Sequence, residues 1–233
     1  MLSVTLGGVY KMSEIKSDFL DAINSEFKNR AKFADYIHKG YTQGELAGGF
    51  NVIGAINNLS DGQEAFKQSL SRHFEIIDST GDLSLIHTKV DEENVFSYVY
   101  FDESVPIFLT KANKTDQIPP TIWNFLQETQ DIGRLMLSKR EIDETRKEIV
   151  ANHEKLMVPF FSARRTAESP INARRRSSTK RSIQYRGADG LQTYREMRYN
   201  YGVLPSIMTF ELANELKFKI KNDGTFVHTN GGF

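Results

Sequence analysis

The chain of 233 residues contains no cysteine. That absence excludes a disulfide framework, a zinc ribbon, an iron–sulfur cluster and a thiolate nucleophile. It leaves the compartment open. No apolar run approaches the roughly 18 residues that a membrane helix needs, so no span is expected. Residues 1–11 lack a basic start and are short for a secretory leader, which makes the cytoplasm the expected location. Met12 is followed by Ser13, suited to capping a helix, and by Glu14 in its first turn, so Met12 is an alternative start. Net charge is missing too, with 30 Lys+Arg against 30 Asp+Glu. The 39% hydrophobic and 11% aromatic content nevertheless belong to a folded globular chain.

The zero total conceals a segregation. Residues 161–201 hold nine arginines and one lysine against three acids, while residues 1–160 hold 17 Lys+Arg against 24 Asp+Glu. The cations are Arg164, Arg165, Arg174, Arg175, Arg176, Lys180, Arg181, Arg186, Arg195 and Arg198. Among them stand Phe160, Phe161, Tyr185, Tyr194, Tyr199 and Tyr201. Arginine presents a planar fork to phosphate or carboxylate, and aromatic rings stack on unpaired bases. Three readings follow. The window contacts nucleic acid, or it docks on an acidic surface of a partner or of its own chain, or it holds a small phosphorylated ligand. The string Arg174-Arg175-Arg176-Ser177-Ser178 also has the form of a basophilic kinase site.

The pattern along the chain predicts an α+β fold. An amphipathic helix is expected over 13–39, carried by Ile15, Phe19, Ile23 and Phe27 and ended by Gly40. The glycine-rich stretch from Gly40 to Gly54 reads as a loop leading into a short helix. Ser60 and Asp61, with Gln63 and Glu64 three residues on, predict a capping box opening a helix to about Arg72. Runs at Phe74–Ser79, Leu83–Val90, Val95–Asp102 and Val105–Ala112 predict an antiparallel meander. A helical pair follows. Its first member starts at Pro119-Pro120 and includes Leu135; the second is capped by Ser138 and Glu141 and runs to about Met157, before Pro159.

The Arg-rich C-terminal α+β segment is expected to hold a strand over Ser182–Arg186, a helix over Ala188–Tyr199, a strand over Ser206–Glu211 and a hairpin. That hairpin joins Glu215–Lys221 to Thr225–Thr229 through Asn222-Asp223-Gly224. Residues 169–182 read as an exposed loop. The implied divisions are 1–115, 116–158 and 159–233.

Motifs for chemistry are sparse. His87-Thr88-Lys89, with Asn94 after it, partly resembles the H-x-K-x4-D signature of phospholipase D-like phosphodiesterases, in which the histidine attacks phosphorus and the lysine binds phosphate. Asn94 stands where that family has Asp, and there is no second copy. Glu215-Leu216-Lys217 has the E-x-K form of metal-dependent nuclease cores, although alternating charge opposite Leu216, Phe218 and Ile220 also describes a half-buried strand. The glycines from 40 to 54 fit no phosphate-binding loop, and the five histidines show no metal spacing. No cofactor is expected. The leading expectation is a non-enzymatic protein whose Arg-rich surface engages nucleic acid; an assembly protein and an enzyme on a phosphorylated substrate are the alternatives.

Overall fold

A computed structural model describes residues 50–101, 105–166, 181–212 and 216–229, together with Lys32, Asp35, Ser169, Ala173 and Arg174. The expected helix over 13–39 lies outside the described residues apart from Lys32 and Asp35, as do residues 1–11, Met12 and most of the 169–182 loop. Among the described residues there are eleven strands and four α-helices. The first half comprises β1 (Phe50–Asn57), α1 (Gly62–His73), β2 (Glu75–Thr80), β3 (Leu83–Val90), β4 (Glu93–Tyr100) and β5 (Ile107–Thr110). A π-helical turn (Pro119–Trp123) then leads into α2 (Asn124–Glu128), β6 (Ile132–Arg134) and α3 (Lys139–Asn152). The chain continues with β7 (Leu156–Arg164), β8 (Ser182–Arg186), α4 (Gly190–Tyr201), β9 (Leu204–Leu212), β10 (Leu216–Lys221) and β11 (Thr225–Thr229).

All the strands join one sheet in the order β2-β3-β4-β5-β1-β11-β10-β9-β7-β8, with β6 pairing separately with β1. Every pairing is antiparallel. This corrects the expected fold class. The meander and the Arg-rich segment are not successive α+β parts with a helical pair between them. They are two wings of one large, mostly antiparallel sheet, joined at β1 and β11.

β1 is the element least visible in the sequence. Residues 50–57 were expected to lead from a loop into a helix, yet they form the central strand. Phe50, Ile53 and Ala55 are all buried, and burial of Phe50 on the face opposite Ile53 blurs the alternation that marks a half-exposed strand. Gly54 marks a close approach, since a Cβ there would stand 2.6 Å from Leu135 Cδ2.

The predicted helical pair is also corrected. α2 ends at Glu128, and Leu135 lies beyond a strand, because Asp131 turns the chain with φ of 61° into β6. The second helix stops at Asn152. Pro159 sits inside β7, at a register shift between Met157 and Phe160 opposite β9, where a missing N–H breaks no ladder bond. The box predicted at Ser60 and Asp61 does not form; Asp61 caps α1 without a side-chain hydrogen bond. The meander and the C-terminal hairpin stand as predicted, with Gly224 at φ 73° closing the latter.

The helices cover opposite faces at opposite ends. Phe66 and Leu70 of α1, together with Ile122, Phe125 and Leu126, pack with Ile53, Ile86, Val99 and Phe108 on what we call the first face. Ile142 of α3 and Tyr194 of α4 pack with Phe161, Met208, Phe210 and Ile220 in a second core. Ile220 is opposite Phe226, and Phe226 is opposite Val52. Val52 and Ile53 are neighbours and point to opposite sides of the strand. The second core therefore lies on the second face. Over β11, β10, β9, β7 and β8, no described helix covers the first face.

Ser138 Oγ accepts the Glu141 N–H at 3.1 Å, and Glu141 Oε2 accepts the Ser138 N–H at 2.6 Å. Those two bonds hold the Glu141 carboxyl below its ordinary pKa. Ser138→Ala is expected to lower stability by about 0.5–2 kcal/mol in urea unfolding. An unchanged midpoint would show that the box adds nothing to α3.

Candidate anion-binding face

One row of side chains crosses the part of the first face that no described helix covers. From the outer edge inward it runs Arg186 on β8, Phe160 on β7, Thr209 on β9, Lys219 on β10, Val227 on β11 and Asn51 on β1, each opposite the next. Two residues on in register, the same face carries Gln184, Ser162, Ile207 and Lys221. The Arg186 guanidinium lies 5.6 Å from the Phe160 ring centroid and the Lys219 ammonium 5.8 Å from it. Lys114, from the loop after β5, donates to Asn51 Oδ1 at 3.4 Å and so joins the inner end of the patch.

The electrostatics of this patch are one-sided. Among the described residues no carboxylate pairs with Arg164, Arg186, Lys219 or Lys221; Lys217 does have a partner, Glu211 Oε2 at 2.7 Å. Partial burial and the neighbouring Lys221, Arg186 and Lys217 lower the Lys219 pKa. Lys114 is pushed down to about 7, chiefly by burial and then by the adjacent Lys221, with Asp223 opposing the shift. Like charges held together at the cost of their own protonation form a surface that a bound anion would relieve.

The structure disperses those of the ten sequence-selected cations that it describes. Arg186 and Arg164 share the first face, since Arg164 is opposite Ser182 in phase with Phe160 and Arg186. Arg181 instead covers the Tyr201 ring, 4.1 Å from its centroid. Arg165 and Arg174 have their backbone N–H groups bonded to Arg181 and Tyr199 carbonyls, and Arg195 is exposed on α4. Arg175, Arg176 and Lys180 lie outside the described residues, as do Ser177 and Ser178 of the kinase-like string. The lysines of β10 and Lys114 were not among the ten. Their signal was the alternation Lys217, Lys219, Lys221 opposite Leu216, Phe218 and Ile220.

Arg198 does dock in cis. Asp143 of α3, 3% exposed, accepts from Arg146 Nε at 3.0 Å and from the Tyr194 hydroxyl at 2.9 Å through Oδ1. Arg198 Nε stands 3.0 Å from Oδ2, an ion-pair contact that is not aligned as a hydrogen bond. Desolvation, then Asp143, raise the Tyr194 pKa well beyond its ordinary range, so the phenol stays a donor. The cluster fastens α4 to α3.

His87 is no free nucleophile. It is buried, with Nδ1 3.0 Å from Glu75 Oε2 and Nε2 3.1 Å from Asn94 Oδ1, so both ring nitrogens are occupied. Glu215 of the E-x-K string is outside the described residues, and Lys217 is held by Glu211. No cluster of three or more potential metal ligands occurs among the described residues. No helix among them is long and apolar enough to cross a membrane.

The described residues define a large antiparallel sheet, one face of which carries a basic patch that no described helix covers. A family model described as a family middle domain matches residues 140–223, from α3 into the turn after β10. The chain is 27% identical over 203 residues to an Archaeoglobus fulgidus protein described as uncharacterized, a match covering 86% of this chain and 55% of that protein. The chain thus spans about half the length of the relative it matches. No solved structure matches.

Two predictions follow from these clusters. Asp143→Ala strands Arg146 and Arg198 near a buried tyrosine and is expected to cost about 3–5 kcal/mol; a loss within about 1 kcal/mol in urea melts would mean that the cluster is dispensable. At Lys114 the sign is set by a folded pKa of about 7 against the ordinary 10.5. Below about 7 the amine is charged in folded and unfolded chains alike, so folding bears the full burial penalty. Between these values only the unfolded chain keeps the proton, and the contribution to stability rises with pH. Lys114→Gln should remove that rise, read as the difference in urea midpoint from the wild type at about pH 6 and pH 9. Parallel profiles would refute the assignment.

Proposed function

We propose that this is a non-enzymatic, cytoplasmic binding protein that engages nucleic acid through the first face of β8, β7, β9 and β10. The observation that carries this reading is the set Arg186, Lys219 and Lys221, which lies on one sheet face that no described helix covers, without carboxylate partners among the described residues and with an aromatic ring among its members. A binding site for a polyanion needs fixed cations spread over an accessible surface, and β-sheet faces supply that surface in many nucleic-acid readers. The contact residues in this reading are Arg164, Arg186, Lys114, Lys219 and Lys221, in place of the arginine window as a whole.

Salt titration tests it. Each neutralised phosphate steepens the dependence of log K on log salt by about 0.9 for duplex and about 0.7 for single strands. Replacing Arg186, Lys219 and Lys221 together by Gln should flatten the slope by about 2–3, with the fold retained. Replacing Arg174, Arg175 and Arg176 by Ala tests the loop separately, and the slope should change less. Absence of saturable, salt-sensitive binding to duplex DNA, single-stranded DNA and RNA would end this reading. Arg198 on Asp143 then favours the alternative, in which the arginines hold the chain to itself or to another protomer, and sedimentation of the same variants would report it.

A further inference from the structure

We infer that the nucleic acid held by this face is single-stranded, with its backbone along the β10 lysines and one base laid on Phe160. This rests on the reading just given and adds to it. Phe160 is half-buried and shares the first face with the row that crosses it. Arg186 lies directly across from it on β8, and Lys219 stands beyond Thr209 on the other side. Both cations lie over the ring, 5.6 and 5.8 Å from its centroid, so a base that stacks there takes the place of one of them as that cation turns to a phosphate. Thr209 between them is 5% exposed and short, so it forms a low floor and not a wall.

A ring flanked by cations on a flat surface suits a base whose adjoining phosphates reach the charges on either side. A duplex keeps its bases stacked internally and offers only their edges in the grooves. Such a ligand would use the cations and leave the ring without a stacked base. A single strand uses both, since base–aromatic stacking and backbone charge are its two sources of affinity.

The spacing along β10 agrees. Lys219 and Lys221 alternate on one face, about 7 Å apart, which is comparable to successive phosphates on an extended strand. Lys217, two residues before them, shares its charge with Glu211 and marks where that track weakens. Lys114 stands at the other end, beside Lys221 and Asn51. The strip that no described helix covers is five strands wide, about 20 Å, and the α1 and α2 layer rises from the same face beyond β1. Ser162 and Gln184, one register step from Phe160 and Arg186, are placed to reach the polar edge of the stacked base.

Fluorescence anisotropy on the full chain separates the possibilities. The probes are labelled single-stranded DNA and RNA of about 12 nucleotides, a hairpin duplex of similar charge, and inorganic polyphosphate as competitor. The single strands should bind more tightly than the duplex. Phe160→Leu should weaken single-strand binding about tenfold, leave the salt slope unchanged and leave competition by polyphosphate unchanged. Phe160→Trp should restore affinity, which shows that the ring acts and that the leucine variant is not merely misfolded. Duplex binding as tight as single-strand binding overturns this inference, and so does a Phe160→Leu variant that binds single strands as the wild type does. Either result leaves a polyanion face in place. Loss of all nucleic-acid binding in the wild-type chain overturns the reading beneath it instead.

Discussion

The pairing of β1 with β11 holds the molecule together. Four residue pairs, from Phe50 with His228 to Ile53 with Thr225, join strands from opposite ends of the described chain. Through them the meander of the first half and the strands of the second become one sheet. The same contact places Asn51 beside Val227, bringing Lys114 within reach of the β10 lysines. A contact between such distant residues forms only after a long loop has closed, and that entropy is recovered through the buried β1 side chains on both faces. The two cores share no described helix. This junction makes their positions on opposite faces a feature of one structure.

Local chemistry made much of the fold legible. Leu83–Val90, Ser182–Arg186 and Thr225–Thr229 have the strand bounds read from the sequence, because polar turns or glycines punctuate them. Gly224 has positive φ in the turn read from Asn222-Asp223-Gly224. The Ser138 box forms for the same reason: its partners lie three residues apart and need no tertiary context. What was illegible depended on distant contacts. β1 looks like a glycine-rich loop until β5 and β11 flank it. Pro159 looks like a stop until the register shift against β9 lets a strand pass through it. Neither signal is local, so no reading of residue spacing could have supplied it.

The candidate site was legible only in kind. An arginine-rich window pointed to an anionic partner, and Arg186 and Arg164 do lie on the face that no described helix covers. The described arginines of the window do not form one patch. Arg198 is tied to Asp143, and Arg181 lies over Tyr201. The charges that converge come from β8, from β10 and from the loop after β5, far apart along the chain. Sheet register brings them together where linear density could not. The alternation of Lys217, Lys219 and Lys221 was readable as an exposed strand face; that it would be flanked by Phe160 and Arg186 was not.

Placing helices on opposite faces at opposite ends also separates two kinds of evolutionary constraint. Arg186, Lys219 and Lys221 belong to neither hydrophobic core, whereas their neighbours along the same strands, Tyr185, Phe218 and Ile220, pack into the second one. Period-two alternation thus gives each strand one register for folding and another that faces outward. Substitutions in the outward register can accumulate and alter what the surface attracts while the inward register keeps the fold. A sheet of this kind can change its ligand preference in small steps, each nearly neutral for stability.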